Sequence, residues 1–561
     1  MKRRLTVQES PRRELDPPDS EQDSDEASES EDTDGDFEVS LESESSDASS
    51  DCGESTEKTE DLDEWKSTNG QIVWHRTEAE TLRYFPEKCA PWGPTRYATS
   101  RITSVKSCFD LFITDEIIQL IVDMTNVQGR RSVSQWKDID ATDLQAYIGL
   151  LLLAAVYKSR NESTCSLWGE HTGRAIFRAT MSLHTFSRIN SHLWFDDRQT
   201  RPAPHKQDKL AAFRTIWEKW KYRLPLLFNP GSDVCVDDQL VPFKGRCVFR
   251  QYMPRKPAKY GIKIWVACDV LTSYAWKMQI YTGKTAGSPP EVDRGKRVVL
   301  DLTEGLEGNT VTCDNFLTSY ALAEELLKRK LALVGKIGKN KPELPPQLLQ
   351  TNQRAPQSSL FAFTRTHTAV SYIPKKGKNV LLLSTKHREP EVSNKEPRQP
   401  KIILDYNSCK GGVDNFDKSI STYSCRRRTC RWPLVLFYNI LDVSALNAFV
   451  LWTALHPSWN NNKSFKRRLF MEELGKMLVS PQMQRTQSPP HTPAAAAIAK
   501  DEQESGETPE KSGDADYTSR KLRRPCQFCT GGKRKIASTC NMCNKHICKD
   551  HTFSYCSSCG H

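Results

Sequence analysis

The sequence predicts an α/β fold in the middle of a multidomain chain, with helical segments on either side and ends of unusual composition. Three observations predict it. Helical-period apolar positions dominate before Pro230-Gly231, short β-like runs follow, and these lead into an amphipathic helix and one more strand-like run.

From Asp16 to Glu64 the chain is mostly Ser, Asp and Glu, too poor in apolar surface to offset its ordering entropy, and is expected to be disordered. The stretch from about Phe85 to Asn229 reads as helical: Thr114 can cap a helix over Asp115 to Met124, whose Ile117, Ile118, Ile121 and Val122 share one face. Asp143 to Tyr157 is apolar all round, as a helix inside a helical cluster must be. Strands are expected at Val234 to Val236, Ile262 to Cys268, Tyr274 to Tyr281 and Thr310 to Cys313. Thr318 to Arg329 reads as a helix with Leu322, Leu326 and Leu327 on one side, followed by a strand at Leu331 to Val334. Lys339 to Pro400 is rich in Pro, Gln and Lys, with strand candidates at Ser359 to Phe363 and Val380 to Ser384, and reads as an insertion. Val413 to Leu455 is helical, interrupted near Arg431-Trp432-Pro433. Ser480 to Ser519, with its prolines and the Ala494 to Ala497 run, reads as a linker.

The 561 residues carry a formal charge of +10, with 80 Lys or Arg against 70 Asp or Glu. Between Glu21 and Glu64, however, 20 acids face the single base Lys58, so that stretch holds about −19 and the remainder about +29. A strongly basic body points to a polyanionic partner, and the acidic segment is expected to compete for that surface. The longest run of small or apolar residues, Ile148 to Val156, is nine long, well short of the roughly 20 that cross a bilayer, so no membrane partner is expected. Met1-Lys2-Arg3-Arg4 runs into acidic sequence instead of an apolar signal core, which argues against secretion and for reduced cysteines.

Asp237 follows the buried run Val234 to Val236, and Asp314 follows Thr310 to Cys313 in the same way, while Asp238 should point to the other face of its strand. In Lys410 to Asp417 the paired Gly411 and Gly412 suit a turn into a helix that sets Asp414 and Asp417 one turn apart. Acids from three distant segments could hold two Mg²⁺ ions for phosphodiester cleavage, since hard cations want hard oxygens. Turn formation and helix capping explain the same residues more plainly, and the intervals of 77 and 100 residues permit convergence without establishing it.

The order and content of four segments say more. Val236-Asp237-Asp238-Gln239-Leu240 running to Arg246, Tyr260 to Lys263, Cys313-Asp314-Asn315 and Lys410 to Asp414 resemble the successive signatures of piggyBac-type transposases, over about Phe85 to Leu478 and again in the cysteine-rich tail. The resemblance implies a ribonuclease-H-like catalytic core in which Asp237, Asp314 and Asp414 are the catalytic acids, Asp417 a further important acid and Trp432 a tryptophan near the site. It implies a Mg²⁺-dependent cut-and-paste DNA transposase acting as a homodimer: water nicks the element end, the freed 3′-hydroxyl forms a hairpin, and the reopened end joins a TTAA target. Asp238 stands where many members carry Glu. On this reading the chain divides into an acidic region (1–84), a helical dimerisation and DNA-binding domain in two parts (85–232 and 424–479), a catalytic domain in two parts (233–338 and 401–423), an insertion (339–400), a linker (480–519) and a zinc domain (520–561).

Lys244, Arg246, Arg250, Arg255, Lys256, Lys259 and Lys263 form an acid-free stretch interleaved with Phe249, Tyr252 and Tyr260, suited to phosphate contact and base stacking. A hairpin with a solvated basic face would look the same. Arg426, Arg427, Arg428, Arg431 and Trp432 form a second candidate DNA surface, while Lys466-Arg467-Arg468 reads as a solvated helix face.

The tail carries Cys526, Cys529, Cys540, Cys543, Cys548, His551, Cys556 and Cys559, mostly in C-x2-C pairs, which predicts two tetrahedral Zn²⁺ sites in place of a hydrophobic core. Interleaved sites are favoured by the short spacers and tandem ones stay open; the arrangement resembles the cross-brace domain that reads terminal DNA in piggyBac transposases. A RING-type ubiquitin ligase is disfavoured because the lone His is sixth in the ligand order. Arg520 to Arg524 and Lys533 to Lys535 suit nuclear import, DNA contact or both, which the sequence does not separate, and a nuclear location is expected. The competing function is a domesticated, transposase-derived DNA-binding protein without transposition activity.

Overall fold

The computed structural model describes residues 63–78, 91–200, 208–254, 256–283 and 293–485, together with a strand pair at Arg524–Pro525 and Lys535–Ile536. The body is built on β1 (Glu64–Lys66), β2 (Val73–His75), β3 (Gly93–Pro94), β4 (Phe228–Asn229), β5 (Asp233–Pro242), β6 (Gln251–Tyr252), β7 (Tyr260–Asp269), β8 (Ala275–Ile280), β9 (Thr310–Cys313), β10 (Ala332–Lys336), β11 (Ser358–Phe363), β12 (Thr368–Ile373) and β13 (Val380–Ser384). Eleven of these make one mixed sheet in the order β1-β2-β11-β12-β13-β10-β9-β5-β7-β6, with β8 also paired to β7; β3 and β4 pair separately. β5 is the pivot. It runs antiparallel to β7 and parallel to β9, and β9 runs parallel to β10. The crossovers from β8 to β9 and from β9 to β10 carry the helices Arg294–Leu302 and Tyr320–Lys328, as parallel strands require.

The predicted α/β class holds, and most predicted elements fall within a few residues of their place. Thr114 caps the helix Asp115–Ser132 by accepting from the Ile117 N–H at 3.4 Å. The helix Ala141–Val156 starts two residues before Asp143 because Asp140 and Asp143 form a reciprocal capping box. Helix Trp432–Leu455 begins at the expected interruption, with Pro433 in its first turn. It is long and apolar enough to cross a bilayer, but 94% of its apolar window is buried, so it serves as the central core helix.

Within residues 339–400, β11, β12 and β13 form a meander that extends the central sheet from β10, and two boundaries are corrected elsewhere. β12 escaped detection because Thr368 and Ser371 make the run look polar, yet both are buried with partners, Thr368 Oγ1 donating to the His387 carbonyl (2.8 Å) and Ser371 Oγ to Asn379 Oδ1 (2.8 Å). The N-terminal region is not disordered throughout, since β1 and β2 form a hairpin docked on β11 by Phe363 opposite His75. Trp74, fully buried and donating its Nε1–H to the Glu343 carbonyl (2.9 Å), holds that hairpin against the body, outweighing the acidic composition before it. The last helix, Lys466–Arg485, continues past the expected linker start because Leu478 and Val479 are buried and Arg485 pairs with Asp140 at 2.6 Å. The rest of the acidic region (1–62 and 79–84), the remainder of the linker (486–519) and the eight tail Cys and His residues lie outside the described residues.

Candidate active site

Val236 of β5 stands opposite Cys313 of the parallel β9, so Asp237 and Asp314 each follow the last pair of this register, and the charge of Asp314 acts on Asp237. β9 ends there, whereas β5 runs on to Pro242 paired with β7 alone. Asp237 therefore sits inside its strand, at the point where the sheet narrows, and not at a strand end. Asp314 opens a turn in which its Oδ1 accepts the N–H groups of Phe316 (3.1 Å) and Leu317 (3.2 Å). Asp237 Oδ1 accepts the N–H of Asp238 at 2.7 Å. Burial, then the charges of Asp314 and Asp238, push the Asp237 carboxyl up to about 8. Burial also raises Asp314, against the pull of its two backbone donors. Like charges gathered in a half-buried place are a store of repulsion that a cation relieves.

The helix Gly412–Thr422 brings the other two acids. Its first residue lies so close to β5 that a Cβ on Gly412 would stand 2.8 Å from Cys235 Cβ. Cys235, Asp237 and Gln239 share the face that meets this helix, and Gln239 Nε2 donates to Asp417 Oδ1 at 3.1 Å. Asp417 is half-buried, and burial raises its carboxyl. Asp414, one turn earlier, has a side chain 72% exposed, with Oδ1 4.0 Å from Lys256 Nζ. Lys256 Nζ also donates to the Asp238 carbonyl (3.0 Å) and stands 3.9 Å from Asp238 Oδ2. Burial works to lower Lys256, but the carboxylates of Asp238, Asp237, Asp414 and Asp417 outweigh it and hold the ammonium above its ordinary value. Among the described residues no three His, Cys, Asp or Glu side chains are gathered closely enough to hold a metal ion. Asp237 and Asp314 are neighbours, Asp417 is tied to the same strand, and Asp414 stands at the rim.

Asp238 points to the opposite face, as expected, where it pairs with Lys263 at 3.6 Å. Lys263 Nζ lies 3.7 Å from the Trp265 ring centre, and burial lowers its pKa. Lys256 and Lys263 are thus engaged with Asp238, whereas Lys244, Arg246, Arg250 and Lys259 are exposed; Arg255 lies outside the described residues. Lys244, Arg246, Arg250 and Trp432 line an open cleft of about 510 Å³, and Trp432 is fixed edge-on against Phe249 (ring centres 5.0 Å apart).

The second basic cluster divides. Arg427 donates to the Ser159 carbonyl, and Arg431 donates to the carbonyls of Ser191 and Leu193 while covering the Trp194 ring at 4.6 Å. These two stitch the helical segments together, Arg426 reaches the Pro242 carbonyl at 3.4 Å, and Arg428 is exposed. Arg467, expected on a solvated face, instead donates to the Ser419 carbonyl (2.6 Å) at the end of the helix carrying Asp414, and burial lowers it to about 10. Beside it the buried Asp442 accepts from Ser424 Oγ (2.6 Å) and the Cys425 N–H (2.8 Å), its carboxyl pushed up to about 6 by burial. Gln239 could have been found from strand alternation with Asp237; Arg467 and Asp442 left no local signal, because their partners lie 48 residues away and 17 to 18 residues away.

Residues 104–449 match the family model described as Transposase IS4. In Homo sapiens, PiggyBac transposable element-derived protein 3 is 23% identical over 355 residues, 59% of this chain and 59% of that protein. PiggyBac transposable element-derived protein 2, also of Homo sapiens, is 20% identical over 369 residues, 61% of this chain and 60% of its own. The chain thus spans about three fifths of the length of these relatives. Among solved structures, the cryo-EM structure of the piggyBac transposase synaptic complex with hairpin DNA superposes with a TM-score of 0.68 at 32% identity, covering 84% of this chain and 100% of that one.

Proposed function

This chain belongs to the IS4 transposase family, in its piggyBac-type branch, and we propose from that premise that it is a cut-and-paste DNA transposase whose catalytic acids are Asp237, Asp314 and Asp414. The observation that carries the reading is the parallel register that sets Asp237 beside Asp314 where β9 stops. The strand order β8-β7-β5-β9-β10, three antiparallel and two parallel strands, supports a ribonuclease-H-like core.

The donor chemistry suits a divalent metal, since carboxylate oxygens are hard and burial with the charges of Asp314 and Asp238 raises the Asp237 carboxyl, while among the described residues the acids do not form a closed metal cluster. Asp237, Asp314 and Asp414 would hold two Mg²⁺ ions, which supply activation of the attacking oxygen and stabilisation of the leaving one. Asp417, through Gln239, fixes the helix that presents Asp414. Lys256 offsets the mutual repulsion of the acids. The cleft beside Trp432, with Lys244, Arg246 and Arg250, receives the strand by its phosphates. Transposon terminal inverted repeats, hairpin ends, a TTAA target, a homodimer, a nuclear location and two Zn²⁺ ions on the Cys526 to Cys559 ligand set complete the proposal.

The test is incubation of the chain with terminal-repeat DNA and Mg²⁺. Strand nicking is expected, with loss in Asp314→Ala; equal cleavage by both proteins would refute the assignment of the acids. The second reading, a transposase-derived DNA-binding protein, has in its favour the relatives' names as element-derived proteins. It predicts binding of the same DNA without cleavage by either protein.

A further inference from the structure

Phe316 is a large apolar side chain left 53% exposed two residues after Asp314. An exposed phenyl ring is ordinary when isolated, but this one is built in. Its inner face lies nearly parallel to the buried Trp265 ring, 9° between planes and 5.7 Å between centres. Lys263 Nζ stands 3.7 Å from the Trp265 ring centre and 5.5 Å from that of Phe316, adding positive charge to the stack. The Phe316 N–H donates to Asp314 Oδ1, so the hydrogen bond that orients the acid also fixes the backbone from which the ring projects. A rigid aromatic face, backed by a second ring and a cation, open on one side and tethered to a carboxylate, has the makings of a base-stacking platform.

We propose that the open face of Phe316 stacks an unpaired nucleobase beside the phosphodiester that is cut, holding the displaced nucleotide away from the acids. This rests on the reading of Asp314 as a catalytic acid. Phe316 is a positioning residue, selecting single-stranded or unpaired DNA at this edge of the sheet over continuous duplex.

The experiment uses the full chain and two probes: a short duplex with a four-nucleotide overhang whose first base is 2-aminopurine, and the same sequence fully paired. The wild-type chain is expected to quench the overhang probe and to bind it more tightly than the paired one. Phe316→Ala is expected to lose the quench and to weaken overhang binding by roughly 5- to 150-fold, with paired-duplex affinity and thermal midpoint unchanged. Phe316→Trp should restore both. Retained quenching in Phe316→Ala, or equal weakening on both probes, would overturn the proposal. Nicking by the wild-type chain and by Asp314→Ala is measured alongside, so a wrong assignment of the acid shows separately: it leaves cleavage intact in Asp314→Ala whatever the overhang probe reports.

Discussion

Gly412→Ala tests how Asp414, the third of the proposed catalytic acids, is held. The backbone at Gly412 is helical, with no positive φ, so Ala brings no backbone strain and gains about 1 kcal/mol of helix propensity. Against this, the new Cβ would stand 2.8 Å from Cys235 Cβ and 3.5 Å from Val270 Cγ2. Carbon atoms rest at about 3.5–4.0 Å, so the helix must lift from β5 by roughly 1 Å, an overpacking cost of about 1–3 kcal/mol. The net loss of stability is therefore about 0–2 kcal/mol. A displacement of about 1 Å at the reacting centre costs far more, on the order of 10²-fold in rate. The expected outcome is a urea-unfolding curve close to wild type with Mg²⁺-dependent nicking down about 100-fold at saturating DNA. Because the collision is with a Cβ, adding Cys235→Gly should recover much of the rate while adding Cys235→Ala should not. Wild-type nicking by Gly412→Ala, or equal rescue by the two second-site changes, would refute the reasoning.

Three further outcomes follow from the geometry. Arg428→Ala should flatten the salt dependence of DNA binding by about one unit of log–log slope at unchanged stability, whereas Arg431→Ala should destabilise by about 1–3 kcal/mol through the orphaned Leu193 carbonyl. Salt titrations and urea unfolding of both variants separate the two roles. Lys256→Met removes the ammonium set among Asp238, Asp414, Asp237 and Asp417, so the thermal midpoint in EDTA should fall and the rise on adding Mg²⁺ should grow; an unchanged Mg²⁺ response would refute the charge-offset reading. Asp442 holds its proton more tightly folded, at about 6, than unfolded, near 3.8, so its contribution is fullest below pH ~4 and is lost as pH rises through 6, about 3 kcal/mol across the window. Asp442→Asn should flatten that arm of the stability–pH curve, measured by urea unfolding.

What the sequence made legible was what is written locally. The runs ending in Asp237 and Asp314 announce their strands by alternation and apolar content, and the Thr114 cap and the Pro433 start announce helices. β12 and the β1–β2 hairpin stayed hidden because what makes them strands is pairing with residues far along the chain: Thr368 and Ser371 need their partners before their hydroxyls can be buried, and Trp74 needs the Glu343 carbonyl. The same holds at the site. Charge alone could not divide Arg428, exposed, from Arg431, committed to two carbonyls, since both are arginines in one short run.

The acids differ in how firmly they are placed, and the difference follows from what carries them. Asp237 is fixed inside β5 by its pairing with β7, and Asp314 directly after buried β9 by the Phe316 and Leu317 N–H groups, so moving Asp237 means breaking the sheet and moving Asp314 means breaking its turn. Asp414 rides on an 11-residue helix held by three separate contacts: Gly412 against Cys235 at its start, Asp417 to Gln239 in its middle, and Arg467 on the Ser419 carbonyl near its end. With its own side chain 72% exposed and facing Lys256, Asp414 is expected to be the acid whose position responds to the arrival of charge. Substitutions in the sheet should therefore trade stability and activity together, whereas substitutions at the three helix contacts should dissociate them, losing activity at a small cost in stability.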